Sequence, residues 1–339
     1  MGRLEREEAS VRLLVIGGAR FSGRALTGLA LERGHEVTMF HRGTGPDDPW
    51  PDAEHVHGDR GAGFDALAGR SFDAIVDTCA YVPRDLLTAA AAFPDTDRYV
   101  FISSVSAHRD DARPGATEDD DLHQPPFPET EDVTDQTYGP LKVACERAVR
   151  SSFGDRAVVI RPGYIVGPYD MTDRFTYWLR RATRGGEMLA PGAPDDTWQF
   201  VDARDLAAFV LLRSEQGGGG TFDVVTPAGR DTIGSLLATA RDQAGADTTF
   251  TWIDEGFAAT HGLLDDETIP LPIWSPREPG FHLFDTTRAR DAGLTVRSAE
   301  DTIRDTLAWD YERGAPWPLR AGLDDARERA LLRAWHDRD

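Results

Sequence analysis

Val11-Arg12-Leu13-Leu14-Val15-Ile16 runs without a break into Gly17-Gly18-Ala19-Arg20-Phe21-Ser22-Gly23, and a helical stretch from Arg24 to Arg33 follows and stops at Gly34. An apolar run of strand length, a cluster of small residues and a helix together mark the first βα turn of a parallel sheet. Small residues there let the backbone approach a pyrophosphate, and the helix N-terminus offers N–H groups and a positive dipole end. A tight turn without a ligand would use the same glycines. The strand-turn-helix context at the head of the chain favours the dinucleotide reading. Gly34 reads as a C-cap glycine.

Outward from this turn, short apolar runs alternate with helical stretches. Strand two is Glu36–His41, strand three about Glu54–His57 followed by Gly58-Asp59-Arg60, strand four Ala74–Asp77, and strand five Tyr99–Ser103. A helix carrying Tyr138 and Lys142 extends to about Ser152, strand six is Ala157–Arg161, Pro162 and Gly163 break the pattern, and Thr221–Val225 reads as a seventh strand. The expected fold is α/β, a Rossmann-type doubly wound parallel sheet with a smaller C-terminal α/β substrate-binding domain. The dinucleotide domain is expected over 10–163 plus about 199–230, and the substrate part over about 164–198 and 231–339. The acidic, proline-bearing loop from Asp110 to Asp135 has a length typical of functional or mobile loops.

The 339 residues include 58 Asp and Glu against 37 Lys and Arg, a net charge of −21 that repels nucleic-acid phosphates and anionic membranes. No apolar run approaches the about 20 residues that span a bilayer. The N-terminal Met1–Glu8 is charged and lacks the apolar core of a signal peptide. Cys79 and Cys145 offer no disulfide framework. The expectation is a soluble cytoplasmic enzyme with a small-molecule substrate, no nucleic acid and no membrane partner.

One of the 37 basic residues is a lysine, and it stands in Tyr138-Gly139-Pro140-Leu141-Lys142. On a helix, i and i+4 share a face, so the phenol and the ammonium can serve one centre. An arginine does not replace a compact ammonium at such a place. In the glycine turn, Gly17-x-x-Arg20-x-x-Gly23 carries an arginine where a third glycine is common. Strand two ends in His41-Arg42, where an NAD enzyme commonly carries an acid for the ribose 2′-OH. Arg42, with Arg20 reaching toward the adenosine ribose, would pair with a 2′-phosphate, so NADP is expected ahead of NAD; both arginines could instead be solvated cations. Asp59 is placed either to accept from the adenine amino group or to cap a turn.

These residues resemble the extended short-chain dehydrogenase/reductases, the NAD-dependent epimerase/dehydratase family. The resemblance also takes in Phe101-Ile-Ser-Ser104, Arg161-Pro162 with Gly167-Pro168, Phe200-Val-Asp-x-x-Asp205-Leu206, and Asp285-Thr-Thr-Arg-Ala289 before Gly293-Leu294. The arginine in the glycine turn is similar to an atypical branch that includes chloroplast stem-loop-binding proteins. The resemblance implies that Tyr138 is the general acid/base, that Lys142 lowers its pKa and holds the nicotinamide ribose, and that Ser104, with Ser103 the nearest competitor, aligns the substrate oxygen. The candidate cofactor residues are Gly17, Arg20, Phe21, Gly23, Arg42, Asp59, Arg60, Cys79, Ala80, Tyr138, Lys142 and Pro162. The candidate substrate residues are Tyr81, His108, Tyr164, Arg174, Tyr177 and Trp198. The resemblance also implies a homodimer through the helix that carries Tyr138.

Two departures bear on substrate. Tyr164 stands where nucleotide-sugar enzymes of the family usually carry an asparagine, and Trp198 where they often carry an arginine. Arg174, Arg180, Arg181 and Arg184 could compensate. Tyr164, Tyr169, Phe175, Tyr177, Trp178 and Trp198 suggest an apolar pocket or, equally, a domain core. The first functional reading is an NAD(P)-dependent reductase or dehydrogenase acting on a carbonyl/alcohol pair of a small metabolite. The second is an epimerase or dehydratase with retained cofactor, and a third is a non-catalytic dinucleotide-sensing or RNA-binding protein. The nine histidines show no metal-ligand spacing along the chain, and no metal is expected.

Overall fold

The computed structural model describes residues 10–43, 50–110, 112–127, 129–264, 267–278, 280–314 and 317–338. The charged stretch Met1–Glu8 lies outside the described residues. In chain order the elements are β1 (Arg12–Ile16), α1 (Phe21–Glu32), β2 (Glu36–His41), β3 (Glu54–His57), β4 (Ala74–Asp77), α2 (Pro83–Ala92), β5 (Arg98–Ile102), α3 (Asp135–Phe153) and β6 (Ala157–Pro162). They continue with β7 (Tyr164–Val166), α4 (Arg174–Ala182), β8 (Glu187–Pro191), β9 (Phe200–Asp202), α5 (Ala203–Glu215), β10 (Gly220–Val224), α6 (Ile233–Ala244) and β11 (Thr249–Ile253). The remaining helices are α7 (Glu255–Thr260), α8 (Thr287–Asp291), α9 (Ala299–Glu312) and α10 (Asp325–His336).

The main sheet has seven strands in the order β10-β6-β5-β4-β1-β2-β3. The pairs β1–β2, β1–β4, β2–β3, β4–β5 and β5–β6 are all parallel. This is a Rossmann-type doubly wound sheet. Strands covered on both faces read as unbroken apolar runs; Leu13, Leu14 and Val15 of β1 and Val158, Val159 and Ile160 of β6 are accordingly buried. Helix α1 begins at Phe21, three residues before the expected Arg24, so Ser22 and Gly23 lie in its first turn. Gly34 follows its C-cap with φ +79°, the left-handed conformation that glycine adopts without a Cβ clash.

The chain divides into two compact units: 1–108, 122–161 and 206–222 in the first, and 109–121, 162–205 and 223–339 in the second. The acidic stretch 109–121 thus belongs to the second unit, whereas the sequence reading kept it in the first. The second unit holds two short parallel pairs, β8–β11 and β7–β9. Its core packs Phe175, Trp178, Leu179, Trp198, Phe200, Leu237 and Ile303. The Trp178 indole N–H donates to the Pro272 carbonyl at 2.8 Å, which satisfies the one polar atom of that buried ring. No described helix is long and apolar enough to cross a membrane.

In the first unit a buried polar cluster ties α3 to the ends of two strands. Glu146 Oε1 accepts from Ser103 Oγ at 2.7 Å and from Arg161 Nε at 2.8 Å, and Oε2 accepts from Arg161 at 2.7 Å. Glu146 and Arg161 are both essentially out of contact with water. Burial alone would raise the Glu146 carboxyl, but hydrogen bonds and charge from Arg161 outweigh it and the net displacement is downward. Removing one member of such a pair leaves a buried uncompensated charge, a cost of about 3–5 kcal/mol. Glu146→Gln is expected to lose that much in urea unfolding at neutral pH, and a loss below about 1 kcal/mol would overturn the assignment. Because the folded carboxyl is depressed, its contribution is complete above the ordinary carboxylate range and falls away as pH drops from about 5. The variant is expected to lack that part of the acid dependence.

Candidate active site

The glycine turn is shaped by close contacts. Gly17 has φ +91°, and a Cβ there would lie 2.5 Å from Thr78 Oγ1. A Cβ at Gly23 would lie 2.7 Å from the Gly17 carbonyl oxygen, so α1 rises against the turn with no room for a side chain. Arg20 is extended (φ −131°) and gives α1 no side-chain cap. The left-handed residue is its neighbour Phe21, with φ +40°, a conformation uncommon for a side chain of that size. Extended backbone tolerates a Cβ, which explains why an arginine fits where a third glycine is common.

A cavity of about 510 Å³ opens at the carboxyl ends of β1 to β4. Gly17, Arg20, Arg42, Asp59, Cys79 and Tyr81 are among its walls. Its volume falls in the range of small-molecule sites. Two candidate residues have structural duties here. Asp59 Oδ1 accepts from the Gly61 amide at 2.8 Å and caps a short 3-10 turn. The Arg60 guanidinium holds both oxygens of Asp77 at 2.8 Å and the Asp85 carbonyl at 3.0 Å. Tyr99 adds a third donor to Asp77 at 2.7 Å. Arg60 was expected to bind cofactor; it lines the cavity, but its charge is committed to the buried Asp77, as a desolvated carboxylate requires. Burial, reinforced by Asp77, pushes the Cys79 thiol up to about 11, so it is held as a thiol and is no nucleophile.

Lys142 is buried on α3. Its Nζ donates to the Ala80 carbonyl at 2.9 Å and to the Ile102 carbonyl at 3.0 Å, bridging the backbone just past β4 and the end of β5. The ammonium sits 4.9 Å from the Phe101 ring centroid, 5.0 Å from Tyr81 and 5.7 Å from Tyr138. Burial lowers its pKa. Ser104 caps the 3-10 turn Val105–Ala107, accepting from the Ser106 amide at 3.1 Å. That turn packs against α3 through Gly139, where a Cβ would lie 2.1 Å from the Ser106 carbonyl oxygen. Sequence reasoning passed over Gly139; a glycine inside a helix, beside the tyrosine, was the available signal. His108 is buried behind this turn and joins Leu122 in a β-bridge.

The other candidates lie in the second unit. Pro162 ends β6 and is buried. Tyr164 stacks on His282 at 5.8 Å, and the Arg174 guanidinium lies 5.0 Å over its ring. Of the two readings open for Tyr177 and Trp198, pocket or domain core, the structure gives the core: they are 3% and 2% exposed. Of the arginines proposed to compensate for a missing diphosphate contact, Arg180 pairs with Asp310, Arg181 with Glu328 and Arg184 with Asp325.

Residues 65–224 match the NAD dependent epimerase/dehydratase family. Among curated proteins it is 25% identical over 218 residues to the chloroplast stem-loop binding protein of 41 kDa b from Arabidopsis thaliana, covering 59% of this chain and 54% of that one. The chain thus spans about half the length of the curated relative it matches. Among solved structures it resembles the Bordetella bronchiseptica enzyme WbmG in complex with NAD and UDP, at 20% identity and TM-score 0.68 over 90% of this chain and 96% of that one. It also resembles the Thermotoga maritima UDP-glucose 4-epimerase with UDP-glucose, at 17% identity and TM-score 0.65 over 89% and 99%. At these identities the structural likeness bears on the fold.

Gly139→Ala is expected to push α3 off the Ser104 turn. Overpacking of this kind costs about 1–3 kcal/mol, and thermal unfolding should register it. A variant as stable as the parent would show that the contact does not constrain the helix.

Proposed function

We propose that this chain is an NAD(P)-dependent enzyme that binds a nicotinamide dinucleotide in the cavity at the ends of β1 to β4 and uses Ser104, Tyr138 and Lys142 at an alcohol or carbonyl carbon. The observation that carries the reading is the buried Lys142 ammonium, suspended from two carbonyls beside the Tyr138 ring. The cavity fits the cofactor: Gly17 and Gly23 leave backbone where side chains would stand, and the first turn of α1 has no side-chain cap. When bound, the dinucleotide supplies the hydride chemistry.

The protein's part is binding and proton transfer. Two of the three Lys142 N–H bonds go to Ala80 and Ile102, which leaves the third for the ribose hydroxyls. A phenol titrates near about 10 in water. The Lys142 ammonium, 5.7 Å from the Tyr138 ring, places a positive charge beside that phenol, which supports Tyr138 as the acid or base. Ser103 is bound to Glu146, which supports Ser104 as the hydroxyl that aligns the substrate oxygen. Tyr81 is half exposed on the cavity wall, which supports a role in contacting substrate. Arg20 and Arg42 on the same wall support NADP over NAD.

On this chemistry the first reading is a reductase or dehydrogenase of a small metabolite. A second reading, an epimerase or dehydratase with retained cofactor, is favoured by the family match and by the UDP and UDP-glucose held by two structural neighbours. The carboxylate partners of Arg180, Arg181 and Arg184 weigh against a diphosphate at those side chains and leave Arg174 as the cation beside Tyr164. RNA binding, suggested by the name of the curated relative, is opposed by the net charge of −21. A carbonyl-metabolite screen followed by NADPH absorbance, run beside a UDP-sugar panel, separates the first two readings: net cofactor turnover supports the first, and sugar conversion without it supports the second.

Tyr138→Phe is expected to keep cofactor binding and lose about 100-fold or more in turnover; wild-type rates would overturn the mechanism. Arg42→Ala is expected to weaken NADP about tenfold, or about 1.4 kcal/mol, with a much smaller effect on NAD. Equal losses by calorimetry would remove Arg42 from the 2′-phosphate role.

A further inference from the structure

Three histidines with no common spacing in the sequence meet at the edge of the main sheet. His41 ends β2 and His57 lies directly opposite it in the register of β3. His55 is two residues earlier on β3, hence on the same face as His57. One ring nitrogen of each lies within 4.8 Å of the others. Among the described residues no second group of three such ligands gathers in this way.

A hydrogen bond defines the tautomer of His55. His55 Nε2 lies 2.9 Å from the Trp50 carbonyl, which can only accept, so Nε2 carries the proton and Nδ1 presents a lone pair. That lone pair lies 3.0 Å from His41 Nε2. A ligating imidazole whose other nitrogen donates to a backbone carbonyl is the usual supporting arrangement of a metal histidine. The rings of His41 and His57 meet edge-on at 4.8 Å. His57 is exposed, which leaves the outer side of the cluster to water.

We propose that His41, His55 and His57 form a binding site for one borderline divalent transition-metal ion, with Zn²⁺ the reference ligand. Three imidazoles and a water make a tetrahedral set that zinc accepts, and nitrogen donors exclude the hard cations Mg²⁺ and Ca²⁺ as tight ligands. The ion takes the place of the proton between His41 Nε2 and His55 Nδ1. That proton moves to His41 Nδ1, and the 3.2 Å hydrogen bond from the Gly43 amide opens. The bound ion joins β2 to the edge strand β3, beside the cavity that His41 and Gly43 help to line.

The test is calorimetric titration of the full chain with Zn²⁺ after dialysis against chelator. One ion per chain is expected, with His55→Ala and His57→Ala each weakening it about tenfold or more. His336→Ala, which removes an exposed histidine bound to Glu187, is expected to leave the affinity unchanged. Because His57 is exposed, its replacement should not compromise folding, and a circular-dichroism melt checks this. Co²⁺ in place of zinc should give the visible bands of a tetrahedral nitrogen site in the wild type and lose them in His57→Ala. No binding, binding unaltered in both cluster variants, or binding abolished by His336→Ala would each overturn the proposal.

Discussion

The rest of the site depends on a single buried ammonium. Lys142 reaches from α3 to the backbone just past β4 and the end of β5 and holds one carbonyl at each. Taking a lysine out of water disfavours its charged form, and burial does lower its pKa. Two carbonyl acceptors and the faces of Phe101, Tyr81 and Tyr138 offset that penalty. The same contacts that stabilise the charge fix where it stands. A cation held this way stands beside the Tyr138 ring without a flexible side chain having to find its place.

Holding the ammonium requires holding α3. Two devices do so inside the first unit. Glu146, one turn beyond Lys142, binds Arg161 of β6 and Ser103 after β5, and Gly139 brings the start of the helix against the Ser104 turn. Both are intolerant in a specific way: the ion pair because a buried charge cannot lose its partner, the glycine because a carbonyl occupies the space of a Cβ. The pair also separates the two adjacent serines. Ser103 faces the buried carboxylate, and the Ser104 hydroxyl caps the next turn and can still donate.

Legibility in the sequence followed burial and locality. Strands two and four are readable within a residue, because parallel strands covered on both faces are continuous apolar runs; the edge strand β3, Glu-His-Val-His, is only partly buried and owes its legibility to the Gly58-Asp59 turn that ends it. The three-residue strands β7 and β9 of the second unit leave no periodicity to detect. In Tyr177 and Trp198 an aromatic stripe at helical or strand spacing looks the same whether it lines a pocket or fills a core, and the fold put it in the core. Arg60 lines the cavity as the sequence suggests, but a basic residue beside a glycine turn does not disclose that a buried Asp77 also binds it.

The sequence by itself determined the glycine turn with its strand and helix, and the pairing of Tyr138 with the lone lysine, because both are short-range patterns with fixed backbone periods. Only the tertiary structure decided which side chains are free to act. Strand register brought His41, His55 and His57 together, and a buried carboxylate claimed Arg60. Long-range packing and charge compensation are properties of neighbours that the chain order does not name, so they appear only once the strands are paired.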